Sequence, residues 1–87
     1  MNEDLPSSSE LLQPILYVLG ELGGEADTST IEAYVIRHLK INPELANRVR
    51  VGKRTELGYR LSWARTRGKN LGLLEKKGNK RWALIKN

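Results

Sequence analysis

Cysteine is missing from this 87-residue chain, which excludes disulfide bonds and thiolate metal sites. Long apolar runs are missing too, since none approaches the roughly 18 residues needed to cross a membrane. The first residues, Met-Asn-Glu-Asp, lack the positive charge that opens a secretory signal peptide. The sequence therefore predicts a cytoplasmic location and no membrane partner.

Positive charge is missing from the front of the chain. Residues 1–32 carry seven acidic residues and no Lys or Arg, whereas residues 33–87 carry all 15 bases and three acids. The net charges of the two parts are −7 and +12. A domain polarised in this way can attract a polyanion to one side and repel it from the other. The alternative is a solvated basic surface that only aids solubility.

Residues that commonly carry catalysis are also scarce. His38 is the only histidine, and its place on the apolar side of a predicted helix indicates a partly buried structural residue. A single histidine without cysteine or a suitably spaced carboxylate makes a poor metal site. The sequence has no nucleophile–base pairing and no cluster of carboxylates beside a lysine that would hold Mg²⁺. We expect no enzyme activity, no cofactor and no small-molecule ligand.

The length allows one domain with a modest core, which we place at residues 9–87 after a polar, flexible lead-in, residues 1–8. Apolar residues at three- and four-residue spacing predict a first helix from about Ser9, ended by Gly23-Gly24. Ser29-Thr30-Ile31-Glu32 has the spacing of a capping box, which predicts the start of a second helix.

Shorter segments connect the predicted helices. Glu25-Ala26-Asp27 is long enough only for a bridge-like strand. Asn42-Pro43-Glu44 pairs an N-cap residue with proline at the first helical position, which predicts a short helical turn through about Asn47. Residues 48–54 follow as a basic linker broken by Gly52.

The longest predicted helix runs from its cap, Thr55, to about Asn70. Two strand-like runs follow, residues 73–76 and 81–85, around a turn at residues 77–80. A hairpin this short is not stable alone, so it must pack on the helices. The buried stripe of the helix is predicted to be Leu57, Leu61, Ala64, Gly68 and Leu71, and the apolar anchors of the hairpin Leu74, Trp82 and Leu84.

The predicted order is helix, short strand, helix, short helical turn, helix and hairpin. This order is typical of a winged helix-turn-helix domain, in which three helices are closed by a small antiparallel hairpin that projects as a wing. We therefore expect an α+β fold that is mainly α.

Several segments form a more specific pattern: Gly52-Lys53-Arg54-Thr55, Arg60-Leu61-Ser62-Trp63-Ala64-Arg65-Thr66, Lys69, Leu71-Gly72-Leu73-Leu74-Glu75 and, near the front, Leu12-Gln13-Pro14-Ile15-Leu16 and Gly23-Gly24-Glu25. Over about residues 8–86 the chain resembles the N-terminal domain of Mrr-type restriction endonucleases. The resemblance implies a winged-helix DNA-binding module of a prokaryotic restriction system, usually joined to a separate nuclease domain that cuts modified DNA. Gly58 and Gly68, inside the long helix, depart from the family pattern, and we expect the nuclease part to be missing here.

Hydrogen-bonding and basic side chains gather on the long helix and beside it. At 100° per residue, the face opposite Leu57 is polar and suits base edges and phosphates in a major groove. The run-up to the helix supplies clamps for the DNA backbone, and the wing, residues 76–81, adds further contacts. The predicted DNA-binding residues are Arg48, Arg50, Lys53, Arg54, Thr55, Tyr59, Ser62, Thr66, Lys69, Lys77, Lys80 and Arg81.

Four other side chains of this helix are given different roles. Arg60, Arg65 and Arg67 lie towards its flanks, and one of them is expected to pair with the acidic first helix. Trp63 falls at the edge of the core, where we expect it to pack and not to stack on a base.

The sequence leaves three functions open. The first is binding of double-stranded DNA, by a nucleoid-associated regulator or by the targeting part of a restriction system. The second is protein–protein interaction, including head-to-tail self-association of the acidic and basic parts. The third is the targeting domain of a nuclease whose activity comes from a partner or from sequence absent here.

Overall fold

Four helices and five short strands make up residues 5–85, the part of the chain that the computed structural model describes. In chain order they are α1 (Ser8–Glu21), β1 (Glu25–Asp27), α2 (Thr28–Leu39), α3 (Pro43–Ala46), β2 (Val49–Val51), β3 (Arg54–Thr55), α4 (Glu56–Asn70), β4 (Leu74–Gly78) and β5 (Arg81–Leu84). The fold is α+β and mainly helical, as predicted, and its order of elements fits the winged-helix plan.

The wing is the hairpin formed by β4 and β5, with its turn at Asn79 and Lys80. β5 is the central strand of an antiparallel sheet in the order β1-β5-β4, so the wing is also attached to the segment between α1 and α2. The predicted anchors are confirmed, because Leu74 is 1% exposed, Trp82 is 8% exposed and Leu84 is partly buried.

The core lies between α1, α2, α4 and the base of the wing. Its largest fully buried side chains are Leu11, Ile15, Val18, Leu19, Ile31, Val35, Leu57, Leu61 and Leu74. The stripe predicted on α4 is confirmed at Leu57, Leu61, Ala64 and Gly68. It is wrong at Leu71, which is 56% exposed. Leu71 is the C-cap residue, and the chain turns at Gly72, so Leu71 no longer follows the helical period.

The starts of α1 and α2 differ from the prediction. Ser7 caps α1, and a capping box forms there because the Ser7 N–H donates to Glu10 and the Glu10 N–H donates to the Ser7 hydroxyl. The capping box predicted at Ser29 is wrong. Asp27, at the end of β1, accepts the N–H of Thr30 and caps α2 two residues earlier. The strand therefore runs directly into the helix, and the Ser29 hydroxyl donates to Asp27.

The segment predicted as a basic linker is instead a second antiparallel hairpin, formed by β2 and β3. Val49 pairs with Thr55, and Gly52 takes a φ of +58° at the tip, which glycine adopts without strain. Val49 and Val51 are 62% and 70% exposed, so this hairpin contributes little to the core. It leads straight into α4, whose N-cap is Thr55 as predicted.

The predicted lead-in, residues 1–8, overlaps residues 1–4, which lie outside the described part of the chain. Leu5 is 5% exposed and belongs to the core cluster. The carbonyl oxygens of Leu5 and Pro6 accept hydrogen bonds from Arg60 Nη1 at 2.8 and 3.2 Å. α1 begins at Ser8, one residue before the predicted start.

Candidate nucleic-acid interface

Tyr59, on the first turns of α4, is the centre of a group of aromatic and cationic side chains. The guanidinium carbon of Arg50, from β2, lies 3.7 Å from the Tyr59 ring centroid, and that of Arg54, from β3, lies 5.6 Å away. Trp63 meets the same ring edge-on, with 6.5 Å between centroids. Cations over an aromatic face are attracted by its negative quadrupole. This attraction helps to dock the β2–β3 hairpin on the start of α4.

Glu56 forms salt bridges with two of the nearby arginines. Its carboxylate accepts hydrogen bonds from Arg60 Nε at 2.7 Å and from Arg50 Nη1 at 2.9 Å. These bonds, that of Arg60 first, hold the pKa of Glu56 below its usual value. The expectation that a flanking arginine of α4 pairs with the acidic first helix is wrong for Arg60, because Glu56 is one turn away on the same helix.

The polar face predicted on α4 is open to solvent in whole or in part. Thr55, Tyr59, Ser62 and Thr66 are partly buried, and Lys69 is exposed. Thr55 also has a structural task, because its hydroxyl accepts the N–H of Gly58 at 3.0 Å. None of these five side chains lies inside the core, so the face is available to a ligand.

The wing brings a second group of cations. Lys77 and Lys80 are exposed, and Arg81 forms a salt bridge with Glu25 of β1. The hydrogen bond from Arg81 is the main cause that lowers the pKa of Glu25. Arg81 therefore fastens the wing to β1, whereas the two lysines have no salt bridge within the described residues.

Arg65, in the middle of α4, lies against the wing. Its guanidinium carbon lies 5.8 Å from the ring centroid of Trp82 on β5. Burial lowers the pKa of Arg65; the charge of Glu32 on α2 opposes this shift, and that of Arg54 on β3 adds to it. Burial likewise raises the pKa of Glu32. The wing therefore packs beside Arg65 on one flank of α4, whereas β2–β3 packs on Tyr59 near the start of the helix.

Two aromatic or imidazole side chains lie elsewhere than predicted. Trp63 is 54% exposed and does not pack at the edge of the core. At 100° per residue it lies about 120° from Leu57, and its ring meets that of Tyr59 edge-on, outside the core. His38 is exposed, in the last turn of α2, and stacks on Tyr17 of α1 with 4.6 Å between ring centroids. Its exposure corrects the prediction of a partly buried structural histidine, since the fully buried residues of α2 are Ile31 and Val35.

Two other features are absent from residues 5–85. No three His, Cys, Asp or Glu side chains in this part lie together as metal ligands. No described helix combines the length and the apolar character needed to cross a membrane.

These features define a small winged-helix-like domain in which one long helix lies between two basic hairpins. The family model of the Mrr N-terminal domain matches residues 9–86. The chain therefore belongs to the Mrr N-terminal domain family, which confirms the resemblance seen in its sequence and associates it with restriction systems. No curated protein and no solved structure gives a significant match.

Proposed function

We propose that this domain binds double-stranded DNA, with α4 in the major groove and the two hairpins on the flanking backbones. The proposal rests mainly on one observation: two basic hairpins lie against α4, β2–β3 on Tyr59 and the wing beside Arg65, and the polar face of the helix stays open to solvent. A helix with its diameter of about 10 Å fits the major groove, and basic segments on either side of it can reach phosphates. Membership of the Mrr N-terminal family supports this function.

The predicted contact residues divide by their environment. Tyr59, Ser62, Thr66 and Lys69 share the open face of α4 and are assigned to base edges and nearby phosphates. Five predicted residues in the hairpins and the segment before them are exposed and have no salt bridge in residues 5–85, and they are assigned to phosphates: Arg48, Lys53, Arg54, Lys77 and Lys80. To contact DNA, Arg50 must leave or share Glu56, and Arg81 must leave or share Glu25. We therefore expect these two arginines to contribute less. Thr55 contributes through its position at the N-terminus of α4, where free N–H groups attract phosphate.

Fluorescence anisotropy with a labelled random-sequence duplex tests the proposal. If about six cations contact phosphates, log K should fall with log salt at a slope of roughly −5. Arg54→Ala should weaken binding to all sequences and reduce the slope by about one. Arg37→Ala is the matched control, because it removes the same charge from α2, where Arg37 lies beside Tyr34. Absence of binding, or binding without a salt slope, would contradict DNA binding, and equal loss from both variants would contradict the assigned surface.

We assign the domain to targeting and not to cleavage. The family to which it belongs is an N-terminal domain, separate from the nuclease domain of the same enzymes. In this reading a nuclease domain, in the same chain or in a partner, supplies the chemistry. Incubation of the purified chain with methylated and unmethylated plasmid and Mg²⁺ should leave both intact, and cleavage of either plasmid would contradict the assignment.

Protein association is a second candidate function, favoured by an exposed groove along the C-terminal half of α4, next to the proposed DNA-binding face. Trp63 and Leu71, 54% and 56% exposed, line this groove of about 310 Å³ together with Arg67. Exposed aromatic, aliphatic and arginine side chains are enriched where proteins meet. Sedimentation velocity over a range of concentrations tests this function: concentration-dependent association that Trp63→Gln abolishes supports it, and a monomer at all concentrations contradicts self-association.

A further inference from the structure

Arg65 differs from the other two flanking arginines of α4. Arg60 is fixed by Glu56 and by two backbone carbonyls, and Arg67 is exposed. Arg65 is partly buried beside the face of Trp82, and its Nε atom is buried without a hydrogen-bond partner among residues 5–85. A buried N–H donor that lacks an acceptor costs free energy, so an acceptor for the guanidinium of Arg65 would be favourable.

The charge of Arg65 is incompletely compensated. Glu32 is the acid that acts on it, yet no acidic oxygen in residues 5–85 lies within 4 Å of its nitrogens. Arg54 adds a second positive charge nearby. Because arginine remains protonated in proteins, Arg65 is a partly desolvated cation near a like charge. Such a group is stabilised when an external acceptor arrives.

The position of Arg65 defines where that acceptor must come from. It lies three residues after Ser62, and therefore about 60° from it around α4, next to the open polar face. Trp82, against which it lies, belongs to the wing. Arg65 thus occupies the angle between α4 and the wing, beside the face of α4 that is proposed to enter the major groove.

We propose that Arg65 recognises a guanine in the major groove, its Nη groups donating hydrogen bonds to O6 and N7 while Trp82 keeps the guanidinium plane in place. This inference rests on the proposed DNA binding and deepens it, since it assigns a base contact to a residue outside the predicted interface. Guanine presents two acceptors on its major-groove edge, and the planar fork of arginine matches them. The amino group of lysine lacks this geometry.

A base edge suits Arg65 better than a phosphate does. Phosphate clamps are commonly long, solvated and mobile side chains, and Lys53 and Lys77 of the hairpins are exposed in this way. Arg65 is held by packing, and a fixed orientation lowers the entropy lost when a directional contact forms. The same rigidity gives no advantage towards a phosphate, which can be approached from many directions.

Selection from a random duplex library tests the proposal with Arg65→Lys and the matched control Arg67→Lys. Both variants keep the charge of α4, and thermal unfolding checks that both are folded. The wild type and Arg67→Lys should enrich one motif that contains a guanine. Arg65→Lys should lose the preference for that guanine by roughly tenfold or more, while its affinity for unselected duplex stays within about twofold.

A second measurement changes the DNA and leaves the protein intact, so it tests the contact to the guanine edge independently of how Arg65→Lys folds. Replacing the motif guanine by 7-deazaguanine removes N7 and should weaken wild-type binding; replacing it by inosine, which keeps O6 and N7, should have little effect. An unchanged motif with Arg65→Lys, an equal loss on selected and unselected duplex, or wild-type binding without sequence preference would overturn the base contact and leave DNA binding standing. A wild type that binds no duplex at all would overturn both.

Discussion

The two hairpins of this domain are held in place by different forces. The wing, β4–β5, inserts Leu74 and Trp82 into the core and pairs with β1. The β2–β3 hairpin exposes Val49 and Val51, and polar contacts of Arg50 with Tyr59 and Glu56 connect it to α4. The wing is therefore part of the hydrophobic core, whereas the second hairpin is attached to the surface by electrostatic contacts.

This difference has a consequence for binding. A hairpin held by apolar burial keeps one position, because moving it exposes core side chains to water. A hairpin held by surface cation–π and salt-bridge contacts loses little when those contacts are exchanged for phosphates. We therefore expect the wing to act as a fixed guide for DNA and β2–β3 to adjust to it.

Trp82→Ala gives the largest expected effect. Replacing a buried tryptophan with alanine typically costs about 3–5 kcal/mol, a large fraction of the stability of a small domain. The matched change in the other hairpin, Val51→Ala, should alter the free energy of unfolding by less than about 0.5 kcal/mol, because Val51 is 70% exposed. Urea denaturation followed by circular dichroism measures both. Similar losses would show that the hairpins share one mode of attachment.

Gly68→Ala tests how closely the wing packs on α4. A Cβ at Gly68 would lie 2.6 Å from Leu74 Cδ1 and 3.0 Å from Leu12 Cδ1. Overpacking costs about 1–3 kcal/mol, and the better helix propensity of alanine returns about 1 kcal/mol, so we expect a net loss of about 1 kcal/mol. Gly20→Ala in α1 is the control, because no atom lies within 4 Å of its Cβ and the change should stabilise by about 0.5 kcal/mol. If the two substitutions shift the denaturation midpoint in the same direction, this account is contradicted.

The same contrast explains which parts of the fold could be predicted from the sequence. The wing was predictable because its apolar anchors, Leu74 and Trp82, stand out in a polar segment and must be buried. The β2–β3 hairpin was not predictable, because Val49 and Val51 face solvent and give no pattern of burial. Arg50 holds the hairpin through individual contacts, and such contacts leave no periodic pattern in the sequence. The prediction that Leu71 is buried was wrong for a related reason: the helical period of the apolar residues does not show where the helix ends.

The candidate site was predictable in its location and less so in its details. The charge contrast and the helical period directed attention to α4 and its neighbours. They did not show that Glu56 engages Arg50, or that Arg65 lies beside Trp82 on the wing. Such pairings depend on how distant segments meet, and Arg65 and Trp82 are brought together only when the wing folds back on α4.

Arg50→Gln should detach β2–β3 locally without unfolding the domain. The change removes the stack on Tyr59, worth about 0.5–1 kcal/mol at an exposed site, together with the contact to Glu56. Amide hydrogen exchange should accelerate in residues 49–55 and stay unchanged in residues 74–84. Lys53→Gln, also in an exposed position of the hairpin, is the control and should leave exchange as it is. Faster exchange throughout the chain with Arg50→Gln would mean that this hairpin supports the core after all.

Lowering the pH should affect the two hairpins differently, and this is the smallest of the expected effects. The pKa of Glu56 is lowered in the fold by Arg60 and Arg50, so the stability it contributes is complete above its ordinary value of 4.5 and is lost as the pH falls through the lowered value. The pKa of Glu25 is lowered by Arg81, so the stability that Glu25 contributes is also lost as the pH falls.

The wing nevertheless keeps Leu74 and Trp82 in the core after Glu25 is protonated, whereas β2–β3 has no comparable apolar anchor. Amide chemical shifts followed from pH 6 downwards should therefore change in residues 49–55 before those of residues 74–84, and Glu56→Gln, but not Glu25→Gln, should abolish the early change. If both hairpins respond together, the wing too depends on its salt bridge, and the division between an apolar and an electrostatic hairpin fails.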